Sequence, residues 1–323
     1  MNQLEPAPYH DDVAGGRPLA DARWLRASDG VRIRIAAWRP EEEEAKGTIL
    51  ILPGRTEHIE KYHETASAFA ERGFATLAID WRGQGLSDRL LEDELIGHVV
   101  RITDYQHDLA AALQAAKEME LPKPWHLIGH SMGGCIGLRA VMEGVDVTTC
   151  AFTGPMWGIY FSPFVKPFSR ALPAFLDKIG LGAKLAPSTK RNNYVLINEF
   201  KGNVLTKDEA QFEMMRMHLT THPQLAIGGP SNRWLLEALR ETAELAKRPS
   251  PDVPCLCFLG SDEAIVEHTS IYDRMSRWPN GHLEVLENAE HELLMEVESV
   301  RQKVIDMLVD HFNREPDKVK PAA

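Results

Sequence analysis

Cysteine is scarce in this sequence, with four residues among 323, too few and too scattered for a disulfide framework. Cys255 and Cys257 alternate within one predicted strand, where their side chains share a face, and we expect reduced core thiols rather than metal ligands. The sequence also lacks an apolar run of about 18 residues, which excludes a transmembrane helix. Residues 1–17 contain acidic residues and prolines instead of an apolar stretch, so we expect no signal peptide and a cytoplasmic protein.

Basic residues are outnumbered: 36 Lys and Arg stand against 47 Asp and Glu, a formal net charge of -11. This charge argues against a nucleic-acid partner, and it leaves at most transient contact with a membrane surface. The contents of 44% hydrophobic and 26% charged residues are those of a globular protein with an ample core. The length suits one α/β domain with an insertion, or two domains.

Apolar runs alternate with helical patterns along most of the chain. A predicted hairpin covers residues 24–38, and the predicted strands that follow are residues 48–52, 74–79, 125–128, 147–152, 255–259 and 283–286. Uninterrupted apolar strands between helices are typical of a mostly parallel sheet with helices on both faces. Ligands of such sheets bind at the carboxyl ends of the strands. Capping boxes predict helices that begin at Thr103 and Thr206.

The strand–helix alternation breaks between residues 153 and 230, where aromatic residues, proline and methionine are common. Methionine and aromatic surfaces adapt to varied apolar ligands, so we interpret this stretch as a lid inserted over the crevice. The alternative, that these side chains form only the core of the stretch itself, is equally favoured. We therefore divide the chain into an irregular lead-in (1–23), an α/β core (24–152 and 231–315) and the lid (153–230).

The segment Gly129-His130-Ser131-Met132-Gly133 matches the pattern G-x-S-x-G. It lies between a predicted buried strand and a helix rich in small residues, which is the context of a nucleophile elbow. Glycine is needed two positions to either side of the serine, because the strained turn brings strand and helix close together. A serine nucleophile further requires a histidine base, an acid that orients it, and two donors for the oxyanion.

Both the base and the acid are predicted at strand ends. His291 is the one histidine, of 13, that follows a strand end beyond the acid. Asp262 and Glu263 are both candidates for the acid. An acid followed by any residue and then Ile-Val is the usual local pattern, and it favours Glu263 over Asp262.

The predicted oxyanion donors are the backbone N–H of Met132 and the backbone N–H of Arg55, which follows the first uninterrupted strand. The side chain of Arg55 has two interpretations: it binds an anionic substrate group such as a phosphate, or it pairs with a carboxylate such as Glu57. Met156 and Trp157, at the start of the lid, are candidates for the substrate pocket.

These segments together resemble the α/β-hydrolase serine esterases, most closely the monoacylglycerol lipase and lysophospholipase branch. The matching residues are 53–62, 80–87, 129–134, 260–266 and 291–292, so the resemblance covers nearly the whole chain. The chain departs from the family pattern twice. Pro53-Gly54 stands where the family often has His-Gly, and Glu263 stands in the position of an aspartate.

The resemblance implies an α/β-hydrolase fold and a serine hydrolase that cleaves carboxylic esters of apolar acyl chains through an acyl-enzyme. The implied substrates are small-molecule lipid esters, namely monoacylglycerols and lysophospholipids. The resemblance implies that the reaction uses no cofactor and no metal. An aminopeptidase or acyltransferase of the same fold is the alternative, and a non-catalytic ligand-binding homologue is a third. The sequence leaves the acyl-chain length, the headgroup and the oligomeric state open.

Overall fold

A central sheet organises the computed structural model, which describes residues 4–41 and 44–314. The strands, in sheet order β1-β2-β3-β5-β4-β6-β7-β8-β9, are β1 (Glu5–Pro6), β2 (Asp21–Arg26), β3 (Arg32–Trp38), β4 (Thr48–Leu52), β5 (Ala75–Asp80), β6 (Trp125–His130), β7 (Thr149–Thr153), β8 (Cys255–Gly260) and β9 (Gly281–Leu286). Strands β4 to β9 pair in parallel, and β1 to β3 are antiparallel. The predicted mostly parallel sheet is confirmed.

Helices cover both faces of this sheet. In the described part of the chain the α-helices are α1 (Asp11–Ala14), α2 (His63–Ala70), α3 (Tyr105–Glu118), α4 (Met132–Met142), α5 (Ala171–Leu176), α6 (Tyr194–Ile197), α7 (Glu209–Thr221), α8 (Asn232–Lys247), α9 (His268–Ser276) and α10 (Glu298–Phe312). Helices α3, α4, α8 and α9 share one core cluster, whereas α2 and α10 belong to a second cluster on the opposite face.

The position of strand β4 between two helical layers explains why its sequence is apolar without interruption. Leu50 and Leu52 pack into the first core cluster, and Ile49 and Ile51 pack into the second. Successive side chains of a strand point to opposite faces, so a strand with helices on both sides needs an apolar residue at every position. Each of the five residues of β4 is buried.

The order of the strands reverses at β4, because β5 lies on one side of it and β6 on the other. Right-handed crossovers therefore place the helices that follow β4 and β6 on opposite faces. The loops after these two strands diverge and leave a crevice at their carboxyl ends. The loop after β4 that carries the predicted donor Arg55, here called the oxyanion loop, and the predicted nucleophile elbow at Ser131 are both at this edge.

Residues 154–231, here called the insertion, connect β7 to α8 and contain α5, α6 and α7. Part of the insertion has its own core cluster, which includes Val195, Phe212 and Met215. Backbone hydrogen bonds join it to the core near its end, where the Gly228 N–H donates to the Leu95 carbonyl at 2.8 Å. No helix within residues 4–41 and 44–314 is long and apolar enough to span a bilayer.

Three local predictions differ from the structure. Asp104, not Thr103, stands at the N-cap position of α3, but its side chain makes no cap hydrogen bond to that helix. It accepts the Arg101 N–H at 3.1 Å and so caps the short 3-10 turn Ile102–Asp104 instead. Asp208, not Thr206, caps α7, because the Thr206 hydroxyl donates to the Met295 carbonyl at 2.7 Å instead. The lead-in is more regular than expected, since β1 and α1 lie within it. The tail beyond residue 314 lies outside the described residues.

Candidate active site

Ser131 occupies a strained turn between β6 and α4, with φ 48° and ψ -116°. Positive φ is uncommon for a residue with a Cβ and persists only where the surroundings enforce it. A Cβ on Gly133 would lie 1.9 Å from the Leu52 carbonyl oxygen, and one on Gly129 would lie 2.8 Å from the Gly133 oxygen. Only glycine fits at both positions, which explains the spacing of the motif.

The elbow is fixed by hydrogen bonds from the loop that follows β7. The Ser131 N–H donates to the Thr153 carbonyl at 3.1 Å, and the Met156 N–H donates to the Ser131 carbonyl at 2.8 Å. Both bonds are made by the backbone of Ser131, so its side chain is left available at the edge of a cavity that Ser131 lines.

His291 lies in the loop after β9, and its Nδ1 is 2.5 Å from Oε2 of Glu263. The other carboxylate oxygen of Glu263 accepts the N–H groups of Ile265 at 2.6 Å and Val266 at 3.2 Å. Burial raises the pKa of Glu263, but the nearby His291 and these hydrogen bonds outweigh it and hold the pKa below its ordinary value. The carboxylate is therefore ionised at neutral pH and can hold the imidazole in one orientation.

Asp262, the other candidate acid, faces solvent. Its carboxylate pairs with Lys207, and its side chain is 42% exposed. The hydrogen bond from Lys207 lowers the pKa of Asp262. Adjacent residues in the turn after β8 point in different directions, so the structure brings Glu263 and not Asp262 to His291.

The loop after β4 lies directly against Ser131. A Cβ on Gly54 would be 3.1 Å from the Cβ of Ser131. Trp81 Nε1 donates to the Pro53 carbonyl at 2.9 Å, and Gln84 Nε2 donates to the Gly54 carbonyl at 3.0 Å. Gln84 also accepts the Thr56 N–H at 2.9 Å. The segment that follows β5 thus clamps the oxyanion loop, a role that its glycine-rich sequence did not reveal.

The two predicted oxyanion donors flank this contact. Met132 is the first residue of α4, so its N–H belongs to the first turn and has no acceptor within the helix. Arg55 follows Gly54 in the clamped loop. In the described chain neither backbone N–H is donated to another backbone or side-chain group. Both are thus free to bind an oxyanion.

A buried network of charged and polar side chains lies next to Ser131 and His291. It consists of Glu57, Lys61, His130 and Glu292. The Lys61 ammonium is 2.5 Å from Glu57 and 2.6 Å from Glu292. His130 Nε2 lies 3.2 Å from the Glu292 carboxylate, and the His130 ring is 4.8 Å from the ring of His291. The sequence prediction did not identify this network, although all four of its members fall within the segments of the resemblance.

Opposite charges set the protonation of this network. Burial would lower the pKa of Lys61, but Glu292 and Glu57 outweigh burial and keep the pKa above its ordinary value. Burial opposes ionisation of Glu292 as well, yet Lys61 and His130 hold the pKa of Glu292 well below its ordinary value. Glu57 also accepts hydrogen bonds from the Gly54 N–H and from Tyr62 at 2.6 Å. Lys61 and Glu292 are therefore ionised, and Glu57 anchors the oxyanion loop to this pair through the Gly54 N–H.

Lys61→Met should destabilise the protein by about 3–5 kcal/mol, because it leaves two buried carboxylates without their cation. The free energy of unfolding from urea denaturation measures this loss. Lys303→Met is the matched control: Lys303 pairs with Glu284 but is 52% exposed, so the expected loss is at most about 1 kcal/mol. Equal losses in the two variants would contradict the proposed anchor.

Two groups of side chains in the described residues have donor atoms close enough to hold a metal ion: Glu57, His130 and Glu292, and at the surface His10, Asp12 and His222. In the buried group, the Lys61 ammonium already bonds both carboxylates. The chain thus supplies the positive charge that a metal would bring there. In the surface group, His222 Nε2 already lies within hydrogen-bond distance of the Asp12 carboxylate oxygens, at 2.8 and 2.9 Å.

Ser131 and His291 line a cavity of about 930 Å³ that extends between the core and the insertion. Its walls are mainly apolar; they include Met156, Ile159, Phe164, Phe168, Leu172, Val195, Leu205, Met215, Leu219 and Trp234. Met156, a predicted pocket residue, lines this cavity. Trp157 does not line this cavity, because it packs in the core against Phe152 and Trp278 and donates to the Gly134 carbonyl at 3.1 Å.

The Arg55 side chain also lines the cavity. Its Nη1 donates to the Gly228 carbonyl at 2.6 Å, and its guanidinium lies 5.6 Å from the ring of Trp234. The suggested pairing of Arg55 with Glu57 is wrong, because Lys61, Tyr62 and the Gly54 N–H already bind the Glu57 carboxylate.

Comparison with known proteins supplies the family context. A family model described as serine aminopeptidase, S33, matches residues 43–298. Lysophospholipase L2 of Escherichia coli (strain K12) is 31% identical over 304 residues, covering 88% of this chain and 85% of that protein. Monoglyceride lipase of Rattus norvegicus is 24% identical over 299 residues, covering 89% of each.

Solved structures share the fold at lower identity. A soluble variant of monoglyceride lipase from Saccharomyces cerevisiae, in complex with a substrate analogue, superposes with a TM-score of 0.69 at 19% identity. The match covers 90% of this chain and 94% of that one. A thermostable carboxyl esterase from Bacillus coagulans gives a TM-score of 0.71 at 15% identity.

Proposed function

Because this chain belongs to the serine aminopeptidase S33 family of α/β-hydrolases, we propose that it is a serine hydrolase of carboxylic esters with apolar acyl chains. Relatives named lysophospholipase and monoglyceride lipase support monoacylglycerols or lysophospholipids as substrates. The observation that carries the proposal is the pair His291 and Glu263, 2.5 Å apart, beside a strained serine that lines the same apolar cavity as the histidine.

The proposed reaction has two steps through an acyl-enzyme. The Ser131 hydroxyl oxygen attacks the ester carbonyl carbon while His291 takes its proton, and Glu263 stabilises the imidazolium that forms. The N–H groups of Met132 and Arg55 bind the oxyanion. The intermediate collapses, the ester C–O bond breaks, and His291 gives the proton to the leaving alcohol. Water then attacks the acyl-enzyme in the same manner, which releases the fatty acid and restores Ser131.

The charge distribution in the cavity favours an ester hydrolase over an aminopeptidase. An aminopeptidase must bind the free ammonium group of its substrate, for which a carboxylate is the natural partner. The carboxylates that line the cavity in the described residues are Glu57 and Glu292, and both bond Lys61. Neither is free to bind an ammonium group.

The insertion supports the proposal that residues 153–230 form a lid. Its aromatic side chains line the cavity and also reach solvent: Phe164 is 90% exposed and Phe168 is 65% exposed. An exposed apolar patch of this kind marks a contact site for other molecules. We propose that the patch touches lipid aggregates transiently while the acyl chain enters.

A hydrolysis panel tests the proposed function. It comprises p-nitrophenyl esters of increasing length, monoacylglycerols and lysophospholipids as monomers and in vesicles, and aminoacyl p-nitroanilides. We expect kcat/KM to rise at least about tenfold from acetate to octanoate, because each buried CH₂ contributes up to about 0.8 kcal/mol. Faster hydrolysis of the aminoacyl p-nitroanilides than of every ester would contradict the proposal that this protein is an ester hydrolase. Equal rates of hydrolysis for monomeric and vesicle substrates would contradict only the proposed role of the exposed patch, and the proposed ester hydrolysis would stand.

A cytoplasmic location stays a prediction. Its support is that the four cysteines are free and buried, as is usual in a reducing compartment.

A further inference from the structure

Of the described cationic side chains that line the substrate cavity, Arg55 has no carboxylate partner. Among the described residues of its lining, Lys61 bonds both nearby carboxylates. Arg55 forms no ion pair, and of its five N–H donors only one has an acceptor, the Gly228 carbonyl at 2.6 Å. Most N–H donors of the guanidinium therefore have no acceptor among the described residues and can bind a ligand in this mainly apolar cavity.

The Arg55 guanidinium lies in a partly buried position. Burial lowers the pKa of Arg55 to about 10, with only Tyr105 raising it, so the side chain stays charged at neutral pH. Arg55 is only partly exposed to solvent, so its charge, which has no counter-charge, is incompletely hydrated and carries part of a desolvation penalty. The ring of Trp234, 5.6 Å away, offsets only part of it. An anion bound in the cavity would supply the missing counter-charge.

We propose that the Arg55 guanidinium binds the phosphate of a lysophospholipid headgroup during ester hydrolysis. The inference rests on the proposed function, since Arg55 would also offer its backbone N–H to the oxyanion. A planar guanidinium binds two phosphate oxygens at once, which an ammonium group does not. Arg55 would thus be a specificity-determining residue that favours phosphate-bearing glycerolipids over neutral monoacylglycerols.

The reach of the side chain agrees with this substrate. With bonds of about 1.5 Å, an extended arginine places its guanidinium about 6–7 Å from its own Cα. Six bonds separate the ester carbonyl carbon of a 1-acyl lysophospholipid from its phosphorus, which is about 7 Å when extended. One residue can therefore contact the oxyanion through its backbone and the phosphate through its side chain.

In the competing interpretation Arg55 has only a structural role: its hydrogen bond to the Gly228 carbonyl, here called a strut, connects the insertion to the oxyanion loop. A matched control separates the two roles. Arg89 also bonds carbonyls of the insertion, at Gln224 (2.9 Å) and Ala226 (3.3 Å), but it does not line the substrate cavity. Arg89→Met removes a comparable strut and leaves the cavity unchanged.

The experiment compares 1-lauroyl lysophosphatidylethanolamine with 1-lauroylglycerol in identical detergent micelles. For Arg55→Met we expect kcat/KM to fall about ten- to a hundredfold with the phospholipid, the usual effect of losing a charge-assisted hydrogen bond, and at most about threefold with the glycerol ester. Arg55→Lys should recover part of the loss. Arg89→Met should change both substrates alike. Equal losses for both substrates in Arg55→Met, or no loss with the phospholipid, would overturn the inference.

A measurement on the wild-type enzyme covers the case in which the variants fail to fold. Glycerol 3-phosphate should inhibit hydrolysis of p-nitrophenyl butyrate competitively, and glycerol should not. Inhibition by inorganic phosphate equal to that by glycerol 3-phosphate would indicate an anion site without selectivity for the headgroup, and absence of inhibition by either would overturn the inference. A wild-type enzyme that hydrolyses no ester at all refutes the proposed function itself, whereas one that hydrolyses only neutral esters refutes only the role of Arg55.

Discussion

Ser131→Ala should lower kcat for p-nitrophenyl esters by about 10⁴- to 10⁶-fold, the range in which removal of a triad member leaves only binding and oxyanion stabilisation. The effect is this large because the proposed reaction forms its covalent bond at the Ser131 oxygen, which alanine lacks. Labelling by a fluorophosphonate should disappear at the same time.

Ser162→Ala is the matched control, because Ser162 lines the same cavity but lies on the insertion, away from the elbow. Its activity and its labelling should match those of the wild type. The backbone of Ser131 makes the hydrogen bonds that fix the elbow, so the alanine variant should keep its fold, as its unfolding midpoint in urea can verify. Labelling that persists in Ser131→Ala would show that another residue is the nucleophile.

Glu263→Gln should lower kcat by about 10³- to 10⁴-fold with little change in stability. The Gln oxygen can still accept the N–H groups of Ile265 and Val266, which preserves the turn after β8. The amide nitrogen then faces His291 Nδ1 in place of the carboxylate oxygen, so it favours the wrong tautomer and gives the imidazolium no counter-charge. Steady-state kinetics with p-nitrophenyl butyrate, over a range of pH, measures the loss.

Asp262→Asn provides the control for this prediction at the neighbouring position. Asp262 is exposed and bonds Lys207 and Ser261, so we expect kcat within about twofold of the wild type. If Asp262→Asn causes the larger loss, Asp262 moves to His291 in the working enzyme and the assignment of Glu263 is wrong.

The choice between Asp262 and Glu263 shows where local pattern stops being informative. Both follow Gly260 in the sequence, and both could serve chemically as the acid. The turn after β8 decides, because it directs one carboxylate to the buried His291 and the other to the surface. The Ile-Val pattern was a useful signal, since the N–H groups of Ile265 and Val266 bind the Glu263 carboxylate.

For the predicted cap at Thr206 and for Trp157, the local sequence pattern led to a wrong prediction. Thr206 looks like a cap in sequence, but its hydroxyl bonds a carbonyl 89 residues away. Trp157 stands beside Met156 on a segment rich in aromatic residues, yet it packs against Trp278 in the core. A local pattern cannot show whether a side chain has a partner that is distant in sequence. Thr206 and Trp157 each have such a partner, and both predictions failed for that reason.

The sequence by itself determined the fold class and the family, because apolar strands without interruption can only be buried between two helical layers, and because the glycines around Ser131 fit the steric demands of the elbow. It also located the candidate serine and histidine, each at a strand's end. Tertiary structure alone decided which acid reaches His291, which charges meet beneath the oxyanion loop, and which cation is left unpaired. Those outcomes depend on contacts between residues far apart in sequence, such as Lys61 with Glu292 and Arg55 with Gly228, whose distances only the folded chain sets.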